Sequence, residues 1–166
     1  LYEKGLYMES KSFAVGLRIQ HPQSMINQAL YGEAENPILG PASYKVTHTC
    51  DNQRGVYSFC MCPGGYVVNA SSEEQMLAVN GMSYQARDSE NANSAIIVTV
   101  SPDDFPGNDP MAGIRFQRDL ERKAWEAGKG KVPVQLFEDY QKHQESTSFG
   151  QVKPCICGAY TLTDVR

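Results

Sequence analysis

The sequence contains no dense run of lysine and arginine. Its 15 basic residues are outnumbered by 19 acidic ones, giving a formal net charge of −4 and a pI near 5.4. Nucleic-acid binding relies on clustered cations, so no nucleic-acid partner is expected. No apolar stretch approaches the ~20 residues that a membrane-spanning helix needs. Residues 1–16 mix charged and apolar types without the pattern of a signal peptide, so no membrane partner is expected either. Neither a G-x-x-x-x-G-K-[ST] loop nor a G-x-S-x-G elbow occurs. The nearest approach to a dinucleotide fingerprint, Gly128–Pro133 (GKGKVP), lacks its third glycine and follows a helical pattern instead of a strand. A standard Gly-rich nucleotide loop is therefore missing. Histidine is scarce as well: His21, His48 and His143 lie far apart, without a spacing that gathers a metal.

Cysteine is sparse and odd in number. Five thiols (Cys50, Cys60, Cys62, Cys155, Cys157) are too few for a disulfide scaffold in a domain of this length. A reduced, cytoplasmic setting is the plain expectation. The Cys60-x-Cys62 and Cys155-x-Cys157 pairs invite a four-thiolate zinc site, but strand geometry opposes it. Residues two apart on a strand lie ~6.6 Å apart along it. Thiolates on one tetrahedral zinc lie only ~3.8 Å apart, given bonds of ~2.3 Å. A disulfide within either pair works against the ~6.8 Å upper limit on Cα separation. No metal site is expected. Cys60 and Cys62 remain either small apolar fillers or residues that face a cofactor.

What is present reads as an ordinary globular chain. Hydrophobic residues make up 41% and charged residues 20% of 166 positions, which suits one domain. Phe13, Val15, Leu17 and Ile19 alternate, predicting a strand with Arg18 on its other face. Pro22 stands where a helix starts, Met25, Ile26, Ala29 and Leu30 follow at helical spacing, and Gly32 ends it. Residues 43–49 alternate as a second strand. Arg54–Cys62 and Tyr66–Ser71 flank Pro63-Gly64-Gly65, which reads as a hairpin. Glu73–Met82 is ambiguous and leans to strand. Ser94–Val100 is apolar on both faces, as a central strand would be. Asp109-Pro110 opens the longest helix, with Phe116, Leu120, Ala124 and Ala127 on one face. Val132–His143 reads as a further helix opened by Pro133, with Leu136, Phe137 and Tyr140 turned inward. The fold class expected is α+β, a mostly antiparallel or mixed sheet of about five or six strands with about three helices.

Two clusters carry chemical interest. Gly64 and Gly65 remove two Cβ atoms, which serves a tight turn or the close approach of a flat ligand to backbone. Asn91, Asn93 and Ser94 put side-chain amides and a hydroxyl just before the central strand, either as a polar loop or as donors aimed at a ligand.

Four strings go further: FAVGLRIQHPQSMINQALYG, YSFCMCPGGYVVNASSEE, VNGMSYQARDSENANSAIIVTVSPDDF and MAGIRFQRDLERKAWEAG. Together they resemble the middle-to-C-terminal part of uncharacterised bacterial FAD-dependent dehydrogenases, over nearly all of Lys11–Gln141. The resemblance implies FAD as cofactor of the full-length protein, held mainly by a Gly-rich βαβ unit that this sequence does not contain. It implies that residues 1–150 form a substrate-side cap domain and that 151–166 is an extended tail leading toward a further flavin-binding segment. The partners implied are the FAD-binding domain of the same full-length chain and an unknown small-molecule substrate. One wall of the flavin pocket would be Cys62, Pro63, Gly64 and Gly65. A second would be Asn80, Gly81, Met82, Ser83 and Arg87, with Asn91 and Asn93 beside it. The resemblance names no catalytic residue. The alternative is a non-catalytic metal- or ligand-binding module built on the C-x-C pairs.

Overall fold

Two ten-residue stretches whose apolar positions alternate find each other and organise the molecule. A computed structural model describes all of residues 1–166. In chain order the elements are β1 (Phe13–Pro22), α1 (Gln23–Tyr31), β2 (Thr47–Thr49), β3 (Gly55–Cys62), β4 (Gly65–Asn69), β5 (Val79–Ser83), β6 (Asn91–Val100), α2 (Ala112–Ala127), β7 (Val132–Val134), α3 (Phe137–Gln141), β8 (Ile156–Cys157) and β9 (Tyr160–Leu162). Short 3-10 turns cover Tyr2–Lys4 and Pro102–Asp104. The class is α+β, with three α-helices and mostly antiparallel pairing.

Strand β6 is central, antiparallel to β1 on one side and to β3 on the other, with β2 at the far edge. The register sets Phe13, Val15, Leu17 and Ile19 opposite Val100, Val98, Ile96 and Ser94, so the alternation of both strands serves one face. At the Val100 end, Phe105 and α2 cover that face. The Phe13 and Phe105 rings stack at 5.1 Å, and Phe116 meets both, at 6.2 and 5.5 Å. Val100, Phe105 and Ala112 are the buried centre of this core. Arg54, just before β3, clamps the turn after β6. Its guanidinium donates to Asp104 at 2.7 and 3.0 Å and to the Thr99 carbonyl at 2.8 Å. Those bonds, with the Ser101 amide behind them, hold the Asp104 carboxyl at about 2, well below its usual range. Helix α2 starts after Asp109, whose carboxylate accepts from the Met111 amide at 2.9 Å.

Several segments fold otherwise than their local pattern predicts. The Pro63–Gly64 turn makes no hairpin. Strand β3 stays in the four-stranded sheet, while β4 pairs with β5 and β8 in a second sheet. Pro133 lies in strand β7, not at a helix start, and β7 pairs in parallel with β9. A two-stranded sheet leaves β7 with one free edge, where a missing N–H is harmless. Helix α3 covers only Phe137–Gln141, and Phe137 is 62% exposed instead of packed inward. The final residues are extended and tied down. The Val67 amide donates to the Cys155 carbonyl, and the Cys155 amide to Gln20 Oε1, at 2.9 and 2.8 Å. Residues 43–46 precede the strand at Thr47–Thr49, and β5 begins only at Val79.

Candidate functional site

The site grows from the place where the chain leaves one sheet for the next. Phe59 faces Ala95 and Cys62 faces Asn93, so β3 carries one residue more than β6 across that interval. This bulge puts Cys60 at φ 46° and re-aims the strand. Three residues after Cys60, Pro63 and Gly64 turn the chain into β4. Gly64 has φ 47°, and a Cβ there would lie 1.8 Å from the Arg87 carbonyl oxygen. Only glycine fits, on backbone conformation and on space. The turn is fully tied. Gly64 N donates to Gln23 Oε1 at 2.8 Å, Ser89 N donates to the Gly64 carbonyl at 3.3 Å, and Ser83 Oγ donates to the Pro63 carbonyl at 2.7 Å. Gln23 in turn donates to Asn27 and to the Ala42 carbonyl, each at 2.9 Å.

Arg18 occupies the seam between the two sheets. Its Nη1 donates to Asn93 Oδ1 at 2.5 Å and to the Cys60 carbonyl at 3.2 Å, and its Nη2 donates to Asn80 Oδ1 at 3.2 Å. A Cβ on Gly81 would lie 2.2 Å from Arg18 Nη1 and 2.3 Å from Asn93 Oδ1, so the guanidinium occupies the space that this glycine leaves. Every acceptor is neutral. Arg18 belongs to none of the ion pairs of the chain. Asn93 is fully buried, and its Nδ2 has no hydrogen-bond partner. Such a donor costs of order 1–3 kcal/mol when left unpaired. Two further orphans lie along the same end of the β1–β6 ladder: His21 Nε2 and Tyr44 OH, on rings 5.5 Å apart. Burial pushes the His21 imidazole down and the Tyr44 phenol up from their usual values.

The eleven residues singled out by sequence separate into three groups. Cys62, Pro63, Gly64 and Gly65 touch Asn80, Gly81, Met82 and Ser83 only at the Ser83 end, where Gly65 lies opposite Ser83 and the Ser83 hydroxyl donates to the Pro63 carbonyl. Asn80, Gly81 and Met82 lie opposite Val68, Val67 and Tyr66, and Cys62 lies opposite Asn93. Of these, Asn80 and Met82 are exposed, whereas Pro63, Gly64 and Gly65 are buried. Arg87 contributes its backbone carbonyl under Gly64 while its side chain is exposed. Asn91 is set apart: it donates to the Lys153 carbonyl at 2.8 Å and so anchors the final residues. It also lines a polar cleft of about 390 Å3 with Glu90 and Lys153, away from Arg18. Sequence reasoning left out Arg18, Gln23, His21 and Tyr44. For Arg18 the signal was its position on the strand face opposite Phe13 and Ile19. For the others the local pattern carried none.

The glycine pair does not present bare backbone to a flat ligand, because the chain's own Arg87 and Met82 carbonyls fill the space. No Gly-rich phosphate loop exists in the sequence, and two of the surface clefts, about 390 and 270 Å3, are open and polar. Asn80 is exposed beside the Arg18 guanidinium, which no carboxylate compensates. No three His, Cys, Asp or Glu side chains converge to hold a metal ion.

Residues 12–166 match the family described as FAD-dependent protein, C-terminal domain-like. The chain belongs to that family. A protein of Clostridium beijerinckii, described as an uncharacterized protein, is 49% identical over 170 residues. The match takes in all of this chain and 32% of that relative, so the chain spans about a third of the relative's length. No helix of the chain is long and apolar enough to cross a membrane.

Proposed function

We propose that this chain is the substrate-side cap of an FAD-dependent oxidoreductase and forms one wall of its flavin and substrate pocket. The observation that carries the reading is Arg18, a half-buried cation without a counter-ion at the seam between the two walls. Asn80, Met82 and Arg87 present the exposed surface of that wall. Cys62, Pro63, Gly64, Gly65, Gly81, Ser83 and Asn93 form the scaffold beneath it, and Asn91 holds the tail. When bound, the flavin supplies the hydride chemistry. This chain supplies orientation, a fixed positive charge and exclusion of water.

The open apolar surface supports a partner domain. Only 21 of 166 residues are buried, while Ile38, Phe137 and Phe59 are 90%, 62% and 57% exposed. Large apolar side chains left in water mark surfaces that pack against something else.

The test is a full-length member such as the Clostridium beijerinckii relative. It is expected to purify with bound flavin, and Met82→Trp at the exposed rim is expected to perturb the flavin absorbance or fluorescence. A change at Lys123, on the exposed face of α2, is expected to leave the spectrum as it was. A colourless full-length protein, or equal effects at both positions, would overturn the assignment.

A further inference from the structure

We propose that Arg18, presented between Asn80 and Cys60, recognises a carboxylate group of the substrate. That the ligand is a substrate rests on the cap reading above. The anion site itself rests on the side chains.

Of the arginines without an ion pair, Arg87 and Arg122 are exposed, where water solvates them. Arg18 is drawn down between two sheets with no carboxylate against it. A guanidinium has five N–H donors. Three are used, two on Nη1 and one on Nη2. The Nε–H and one Nη2–H have no acceptor. These belong to neighbouring nitrogens, and such a fork matches the two oxygens of one carboxylate.

The acceptors point the same way. Aspartate has the shape of asparagine, and at position 80 or 93 it would neutralise Arg18 by a charge-assisted bond. The sequence carries a carboxamide at both places. At Asn93 the choice leaves a fully buried Nδ2 without a partner. That expense makes sense if the Arg18 charge is to remain available to a ligand. Gly81 makes room for the guanidinium in this pose, since any Cβ there would displace it.

The experiment titrates the full-length protein with sodium acetate by calorimetry, at ionic strength held constant with chloride. Saturable binding is expected. Asn80→Asp, at an exposed position, is expected to weaken it about tenfold or more by occupying Arg18 internally. Arg18→Gln is expected to abolish it, and Arg18→Lys to weaken it while keeping the charge. Non-saturating heats, or saturation unchanged in Asn80→Asp, would overturn the proposal. Should Arg18→Gln fail to fold, Asn80→Asp decides alone. Flavin content, read on the same samples, separates the two readings. A flavin-bearing protein that ignores acetate loses only the anion site. A flavin-free protein that binds acetate through Arg18 keeps the site and loses the cap assignment.

Discussion

The two ends of the β1–β6 ladder differ in kind. At the Val100 end three phenylalanine rings close over Val100 and Ala112, and the half-buried Arg54–Asp104 ion pair beside them is satisfied. At the Asn91 end the buried run is Asn91, Ala92, Asn93 and Ser94, three of its four side chains polar, and the charge of Arg18 is unanswered. Both ends use the same backbone pairing. The first arrangement minimises free energy by removing apolar area from water. The second retains unpaired donors at a cost, which is the usual signature of groups kept ready for a ligand.

Breaking the apolar end is expected to have the largest effect. Phe105→Ala removes the ring that Phe13 and Phe116 share, and a loss of about 3–5 kcal/mol is expected from a denaturant titration. A loss under about 1 kcal/mol would mean that the polar end, and not this core, holds the sheet. Next comes the corner between the ends. Gly64→Ala combines positive φ with a clash on the Arg87 carbonyl, and about 2–5 kcal/mol is expected. Asn93→Ala, at the polar end, removes one good bond and one unpaired donor together. Roughly 1–2 kcal/mol is expected, clearly less than for Phe105→Ala.

Acid should separate the ends as well. Burial lowers the folded-state pKa of His21 below its usual value of about 6.5. As pH falls below that value the unfolded chain takes up a proton that the folded chain resists, so stability drops. A denaturation series in pH should show this slope, and His21→Leu should flatten it. Asp104 shifts in the same direction for a different reason, its bonds to Arg54 and Ser101 instead of burial: its folded pKa is about 2 against 3.8 for a free group. Its contribution is present above about 4 and disappears as pH falls toward about 2. Arg54→Met should remove this second, lower window and leave the His21 window in place. The smallest effect is expected at the bulge. Cys60→Gly trades relief of positive φ against chain entropy, and stability should change by no more than about 1 kcal/mol.

Much of the sheet was legible. Alternation alone located β1, and two-sided apolarity located the central strand. Pro22 and Gly32 bounded α1, with Gly32 in the left-handed conformation that ends a helix. The hairpin reading failed because Pro63-Gly64-Gly65 carries the same local signal whether the next strand turns back or crosses to another sheet. Val132–Val134 failed because its partner, Tyr160–Leu162, lies far along the chain and Pro133 also suits a helix start. In the site, Gly64 was singled out for a tight turn or a close approach, and what lies close to it is the chain's own Arg87 carbonyl.

The sequence by itself determined which residues alternate and that it carries no Gly-rich nucleotide loop, because these are properties of neighbours along the chain. Only the tertiary structure decided that Arg18 meets Asn80 and Asn93. Those residues lie 62 and 75 positions away and come together across two sheets. Charge balance at a site is a sum over such distant partners, so an unpaired cation becomes visible only after folding.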